Sequence, residues 1–183
     1  MMEPPAITPS MAAEAAELAA LHARVAERLT ADHGKGHWSN TVSERGVLRG
    51  LATAEVFTAR GGGRIVGTFQ LQPKKPWAID VAYFTPVRKP IYLVDMAVLP
   101  EVQRKGIGRG LLEFAAVHAA RRPADSLRLD AYDGPAGAGE FYRKGGMSDR
   151  GRAIYRGNPL VYFELLLEGR EVAPPERPAA PRG

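Results

Sequence analysis

The run "IYLVDMAVLPEVQRKGIGRGLLEFAAVHAARR", from Ile91 to Arg122, limits what this chain can fold into more than any other. Its first eight residues are apolar or β-branched apart from Asp95, and Pro100 closes them, which predicts a central strand. Gly106, Gly108 and Gly110 follow, with Arg104, Lys105 and Arg109 among them. Leu111, Leu112, Ala115 and Ala119 then share one face of a helix expected from Gly110 to Arg121. A helix start leaves its first N–H groups unpaired and favours anions there. Glycines let such an anion approach the backbone itself. The loop is therefore expected to hold a phosphate-bearing ligand, against the plainer alternative of a tight turn with solvated basic side chains.

Two known phosphate loops do not fit. The dinucleotide fingerprint needs Gly-x-Gly-x-x-Gly directly after the first strand, with an acidic residue about 20 positions on. Asp130 lies near that distance, but the spacing here is Gly-x-Gly-x-Gly, and the unit sits late in the chain. The Walker loop needs Lys-Ser or Lys-Thr after its glycines, and neither follows.

Around this unit the chain reads as mixed α+β. Leu18, Leu21, Val25 and Leu29 form one stripe of a first helix expected from Met11 to Leu29, with Ser10 as N-cap and Glu14 near its positive end. "ADHGKGHWSN" reads as a loop and "VSERGVLRGLA" as a shorter helix. "AEVFTAR" and "RIVGTFQLQ" are strands of a hairpin turning through Gly61, Gly62 and Gly63. "PKKPWAIDVAYFTPVRKP" is irregular, "SLRLDAY" a strand, "GAGEFYRKGG" a short glycine-ended helix, and "PLVYFELLL" a last strand. The 183 residues suit one domain, placed at 1–168. The proline-rich stretch 169–183 is expected to be a disordered tail.

Composition removes several classes of function. The absence of cysteine excludes a disulfide scaffold, a thiolate nucleophile and thiolate metal sites. The first ten residues lack the basic-then-apolar pattern of a secretion signal, and the first helix is too charged to span a bilayer. A cytoplasmic protein without membrane partners is expected. The net charge of +5 comes from scattered residues, with no interleaved aromatics for base stacking, so no nucleic-acid partner is expected. His33 and His37 are separated by a glycine-rich loop and have no third ligand, so no metal is expected either.

Two motifs carry a resemblance. "AVLPEVQRKGIG" is similar to the Gln/Arg-x-x-Gly-x-Gly/Ala phosphate loop that follows a Val-x-Pro strand end, with Gln103, Gly106 and Gly108 on its fixed positions. "FYRKGGM", Phe141 to Met147, is similar to Phe-Tyr-x-x-x-Gly-Phe/Met. In that order the two resemble the GNAT superfamily of acyl-CoA-dependent N-acetyltransferases, over about Ala6 to Leu167 and most sharply from Tyr92 to Met147.

The resemblance implies a central, mostly antiparallel sheet with one splayed pair of parallel strands, flanked by helices. It implies acetyl-CoA as cosubstrate, with Gln103, Arg104, Lys105, Gly106, Ile107, Gly108, Arg109 and Gly110 around its pyrophosphate. Met96, Ala97 and Val98 would offer backbone groups to the pantetheine arm, lying in the gap beside Leu129 and Asp130. Tyr142 falls where the family places a tyrosine by the sulfur, as general acid. Asp130 is the first candidate for the base, Asp95 the second and an ordered water the third.

The chain departs from the family at Pro135, where many members carry an asparagine. His37 and Trp38 are expected near the acceptor, a primary amine, more readily of a small molecule than of a protein. Asp80, Glu44 and Asp95 are candidates to attract a cationic acceptor, and a homodimer is left open. The alternative is a catalytically silent module that binds acyl-CoA.

Overall fold

The computed structural model describes residues 5–167, and the expected tail at 169–183 lies outside them. The expected hairpin forms from β2 (Glu55–Gly61) and β3 (Arg64–Gln72), with Gly61 opposite Arg64. The central strand is β4 (Pro90–Val98), and "SLRLDAY" is β5 (Ser126–Tyr132). With β1 (Ala6–Pro9), β6 (Ser148–Tyr155) and β7 (Asn158–Leu166), these make a seven-stranded sheet ordered β1-β2-β3-β4-β5-β7-β6. Every neighbouring pair is antiparallel except β4 and β5. The helices are α1 (Ala15–His33), α2 (Glu44–Thr53), α3 (Ile107–Ala120) and α4 (Gly139–Lys144).

Sequence patterning misses β1 and β6. Both are sheet edges with largely exposed residues, so neither needs the apolar alternation that marks a buried strand. Pairing of β1 also corrects the expected start of α1. Ser10 does not cap the helix: its N–H donates to the Val56 carbonyl at 2.8 Å. The Glu14 carboxylate instead accepts from the Met11 N–H at 2.7 Å. The helix continues past Leu29 to His33.

α3 begins at Ile107, three residues before the expected Gly110. Gly106 caps it with φ +85°, a left-handed conformation that a residue with Cβ takes only under strain. That turn lets Ile107 drop into the core, where it is 4% exposed.

The sheet buries both faces. Phe57 and Phe69 stack on each other and pack against Phe114 of α3. Strand alternation turns Thr68 and Gln70 to the opposite side, toward α1 and α2. A smaller cluster of Ile79, Phe84, Tyr92, Leu160 and Tyr162 lies under the segment before β4.

β4 and β5 pair at only three positions, Pro90 with Ser126, Ile91 with Leu127 and Tyr92 with Arg128. Beyond them the strands separate. Thr68 pairs with Ala97 and Gln70 with Val94, so Asp95 and Met96 together oppose Phe69 in a β-bulge. A bulge bends its strand, and here it carries the far half of β4 away from β5. Asp95 takes φ 51° at the bend.

At the start of the divergence sits a buried ion pair. Arg128 Nε donates to Glu164 at 2.9 Å, with side chains 4% and 2% exposed. The other Glu164 oxygen accepts from the Thr85 N–H at 3.1 Å, and Arg128 also donates to the Thr85 carbonyl.

Candidate active site

Two adjoining cavities open where the strands splay. The first, of about 930 Å³, runs along the start of α3. Arg104, Gly106, Gly108 and Arg109 line it, facing Pro135, Ala136 and Phe141. The Gly110 N–H is the first to bond back, to the Gly106 carbonyl at 3.0 Å, so the amides before it are the helix's unpaired set. A Cβ built on Gly106 would meet no atom within 4 Å, whereas one on Gly108 would touch the Phe141 ring at 3.4 Å. The loop is tied to the strand by the Gln103 side chain, which donates to the Val98 carbonyl at 3.0 Å.

The second cavity, of about 680 Å³, lies between β3, β4 and β5 and helices α1 and α2. His22, Gln70, Asp95 and Asp130 line it, with an aromatic wall of His37, Trp38 and Tyr132. The rings of that wall lie 4.9–5.1 Å apart. The turn carrying His37 and Trp38 is held on α1 by Thr30 and Ser39, whose hydroxyls are 2.7 Å apart. Trp38 Nε1 donates to the Gly34 carbonyl at 3.0 Å. At the end of β5 the chain folds back so tightly that a Cβ on Gly137 would sit 1.7 Å from the Tyr132 carbonyl oxygen. That return brings Ala136, Gly137 and Ala138 to the wall of both cavities.

The cavities meet at Met96, Ala97 and Tyr142, which line both. Tyr142 is 8% exposed, and its hydroxyl has the Met96 sulfur at 3.9 Å as its hydrogen-bond partner. Burial pushes its pKa well above the ordinary phenol value, and the nearby Asp130 carboxylate pushes the same way. Asp130 is half-buried; burial raises its pKa, and the Asp95 carboxylate adds to the shift. His22 has its pKa lowered by burial, against the pull of Asp95.

The strand, loop and helix that carry these residues fall within a match to a known family. The acetyltransferase (GNAT) domain model matches residues 52–146.

The chain belongs to the GNAT acetyltransferase family.

No curated protein matches the sequence. Among solved structures the fold is similar to a GCN5-related N-acetyltransferase from Rhodopseudomonas palustris, at 23% identity and TM-score 0.67. That match covers 91% of this chain and 98% of the other. The ribosomal-protein-S18-alanine N-acetyltransferase of Escherichia coli matches at 16% identity and TM-score 0.67, over 91% and 96% of the two chains. A putative acetyltransferase from Salmonella typhimurium, solved with acetyl-CoA, matches at 17% identity and TM-score 0.67, over 92% and 96%.

Within this GNAT fold the sequence-predicted residues divide. Met96, Ala97, Val98, Gln103, Arg104, Gly106, Gly108, Arg109 and Tyr142 gather on the first cavity. The side chains of Lys105 and Ile107 do not line it; Ile107 points into the core. Gly110 lies in the first turn of α3 and does not line the cavity, although its neighbour Arg109 does. Asp95 and Asp130 share the second cavity. Neither carboxylate forms an ion pair with an arginine among the described residues: Asp95 accepts from Gln70 Nε2 at 3.0 Å instead. Asp95 is exposed to the cavity rather than buried in the strand, because the bulge swings it out of the sheet. Asp80 and Glu44 stand off the cavity; Asp80 caps the Ala82 N–H at 3.0 Å. His33 and His37 pack edge-on against Trp38.

Sequence reasoning missed His22, Gln70 and Tyr132. His22 carried a signal, since it stands four residues after Leu18 and three before Val25, on the apolar stripe itself. Gln70 carried none, because its partner is set by a bulge 25 residues away.

Proposed function

We propose that the protein transfers the acetyl group of acetyl-CoA to a primary amine by direct attack, with Asp130 as base and Tyr142 as acid. The observation that carries this reading is the meeting of the two cavities at Met96, Ala97 and Tyr142. The first cavity fits the pyrophosphate of acetyl-CoA, the acetyl donor. Gly106 leaves its rim open, the amides at the start of α3 lack partners, and Arg104 stands beside them. The backbone of Met96, Ala97 and Val98, unpaired toward β5, suits an amide-rich arm laid along it as a strand would be.

An amine is mostly protonated at neutral pH and has to lose a proton before it attacks. Asp130, with its raised pKa and no cation paired to it among the described residues, is matched to accept that proton. Tyr142 keeps its own proton at working pH and gives it to the departing sulfur. The two roles are coupled. Once Asp130 has taken the amine's proton it no longer carries the charge that raises Tyr142, so the phenol becomes a better donor when the sulfur needs one.

Acetyl-CoA or CoA at a hundredfold excess over its dissociation constant is expected to stabilise the protein by about 2.7 kcal/mol, whereas NAD, NADP and ATP do not. A thermal melt reads this as a rise of roughly 5–10 °C. Stabilisation by NAD and not by CoA would remove the assignment. Thiol release from acetyl-CoA over an amine panel then tests the chemistry. CoA binding with no release from any amine would favour the silent binding module.

Asp130→Asn is expected to lower kcat about a hundredfold and to abolish the acidic limb of the pH profile, which in the wild type lies above the ordinary carboxylate range. The same change raises the melting temperature at neutral pH. A carboxylate whose folded pKa is raised costs stability when ionised, and that cost disappears as pH falls through the raised pKa. The stability difference should therefore close below about pH 4. An unchanged acidic limb would shift the base to Asp95 or to a water.

A further inference from the structure

We infer that the acceptor is a small oligocationic amine, its reacting nitrogen at Asp130 and a second cation held by Asp95 against the His37–Trp38–Tyr132 wall. This rests on the acetyl-transfer reading for its chemistry, but on other observations for its content.

No lysine or arginine lines the second cavity among the described residues. Asp95 and Asp130 both face it, and each stands outside the ion pairs formed among those residues. The charged side chains lining the cavity are therefore carboxylates, with no lysine or arginine to pair them and only the His37 imidazole acting on Asp130 to offset them. Two carboxylates facing one cavity repel each other; a monocation neutralises one of them, whereas a dication satisfies both. A free carboxylate next to the amine would add a third negative charge with no partner, so simple amino acids are disfavoured.

Asp95 is also built into place. The bulge holds it at φ 51°, a conformation that costs a residue with Cβ some free energy, and Gln70 anchors its oxygen at 3.0 Å. The Gln70 amide rests on Gly50 of α2, where a Cβ would stand 3.4 Å from it. In the same cavity, three rings spaced 4.9–5.1 Å apart offer π-faces to a cation. The lowered pKa of His22 keeps it neutral, so the one ionisable group that α1 adds brings no positive charge. The volume of about 680 Å³ exceeds what a simple monoamine fills.

The test uses the CoA-loaded protein and three four-carbon amines that differ at one end: diaminobutane, butylamine and aminobutyrate, with a terminal cation, methyl and carboxylate. Calorimetry is expected to give affinities in that order, with diaminobutane ahead of butylamine by about tenfold or more. Asp95→Asn should erase most of that advantage, read as the ratio of the two affinities within the variant. Gln70→Leu, which keeps the carboxylate but frees it, should erase part. In turnover the loss is read as the ratio of kcat/KM for diaminobutane to that for butylamine, because removing the Asp95 charge also acts on Asp130 and so on both amines alike. Equal affinities, tightest binding of aminobutyrate, no measurable binding of diaminobutane, or a diamine preference that survives Asp95→Asn would each overturn the inference. Charge-ordered binding without acetyl transfer would count against the proposed reaction and leave this assignment standing.

Discussion

Replacing Tyr142 with phenylalanine is expected to lower kcat roughly a hundredfold or more while acetyl-CoA affinity stays near wild type. The substitution is clean because of what the hydroxyl touches. Its partner is the Met96 sulfur at 3.9 Å, a weak acceptor, so removing it strands no strong hydrogen-bonding group. The ring keeps its packing on Phe141 and Phe163.

Burial lifts Tyr142 above the ordinary phenol range, which by itself would make it a poorer acid. The same desolvation lifts the conjugate acid of a thiolate in the same place. The direction of transfer therefore depends on the difference between the two groups, not on the phenol alone. Single-turnover thiol release, together with CoA binding, checks the prediction. Full-rate turnover of a competent amine by Tyr142→Phe would mean that the sulfur leaves without this residue.

Glu164→Gln is expected to cost about 3–5 kcal/mol of stability and to lower the melting temperature by on the order of 10 °C. The amide nearly preserves shape but leaves the Arg128 guanidinium as a buried charge without its counter-ion. Its single carbonyl oxygen can accept from Arg128 Nε or from the Thr85 N–H but not from both, and the contact to Arg150 at 3.5 Å loses its charge. Because the penalty comes from one orphaned charge, the pair Arg128→Met with Glu164→Leu should recover much of the loss. A melting shift of a degree or two for Glu164→Gln would show that water reaches the pair and screens it. The position matters for function, since Arg128 is the last β5 residue paired with β4 before the strands part.

Much of the candidate site is legible in the sequence, for identifiable reasons. The loop before α3 is local: Gly106, Gly108 and the amides of one helix turn are adjacent in the chain, so their spacing alone marks a candidate anion site. Tyr142 is legible through its motif. The start of α3 lies three residues ahead of where periodicity puts it, because periodicity marks the apolar face of a helix but not the cap that starts it. Edge strands β1 and β6 escape notice because exposed strands leave little hydrophobic trace.

The sequence by itself determined the order of the central strands and helices, the strand–glycine loop–helix unit and the family. Each depends on neighbours in the chain or on residue type. Only the tertiary structure decided which carboxylates share a cavity and what holds them. Asp130 and Tyr142 share a cavity because the chain folds back after β5 and sets α4 beside the splay, and Asp95 meets Gln70 because of a bulge between paired strands. Asp80 and Glu44, equally acidic on paper, fall elsewhere. Charge and hydrogen-bonding capacity are properties of a residue; which groups they act on is a matter of a few ångströms, and in this fold that is set by where β4 parts from β5.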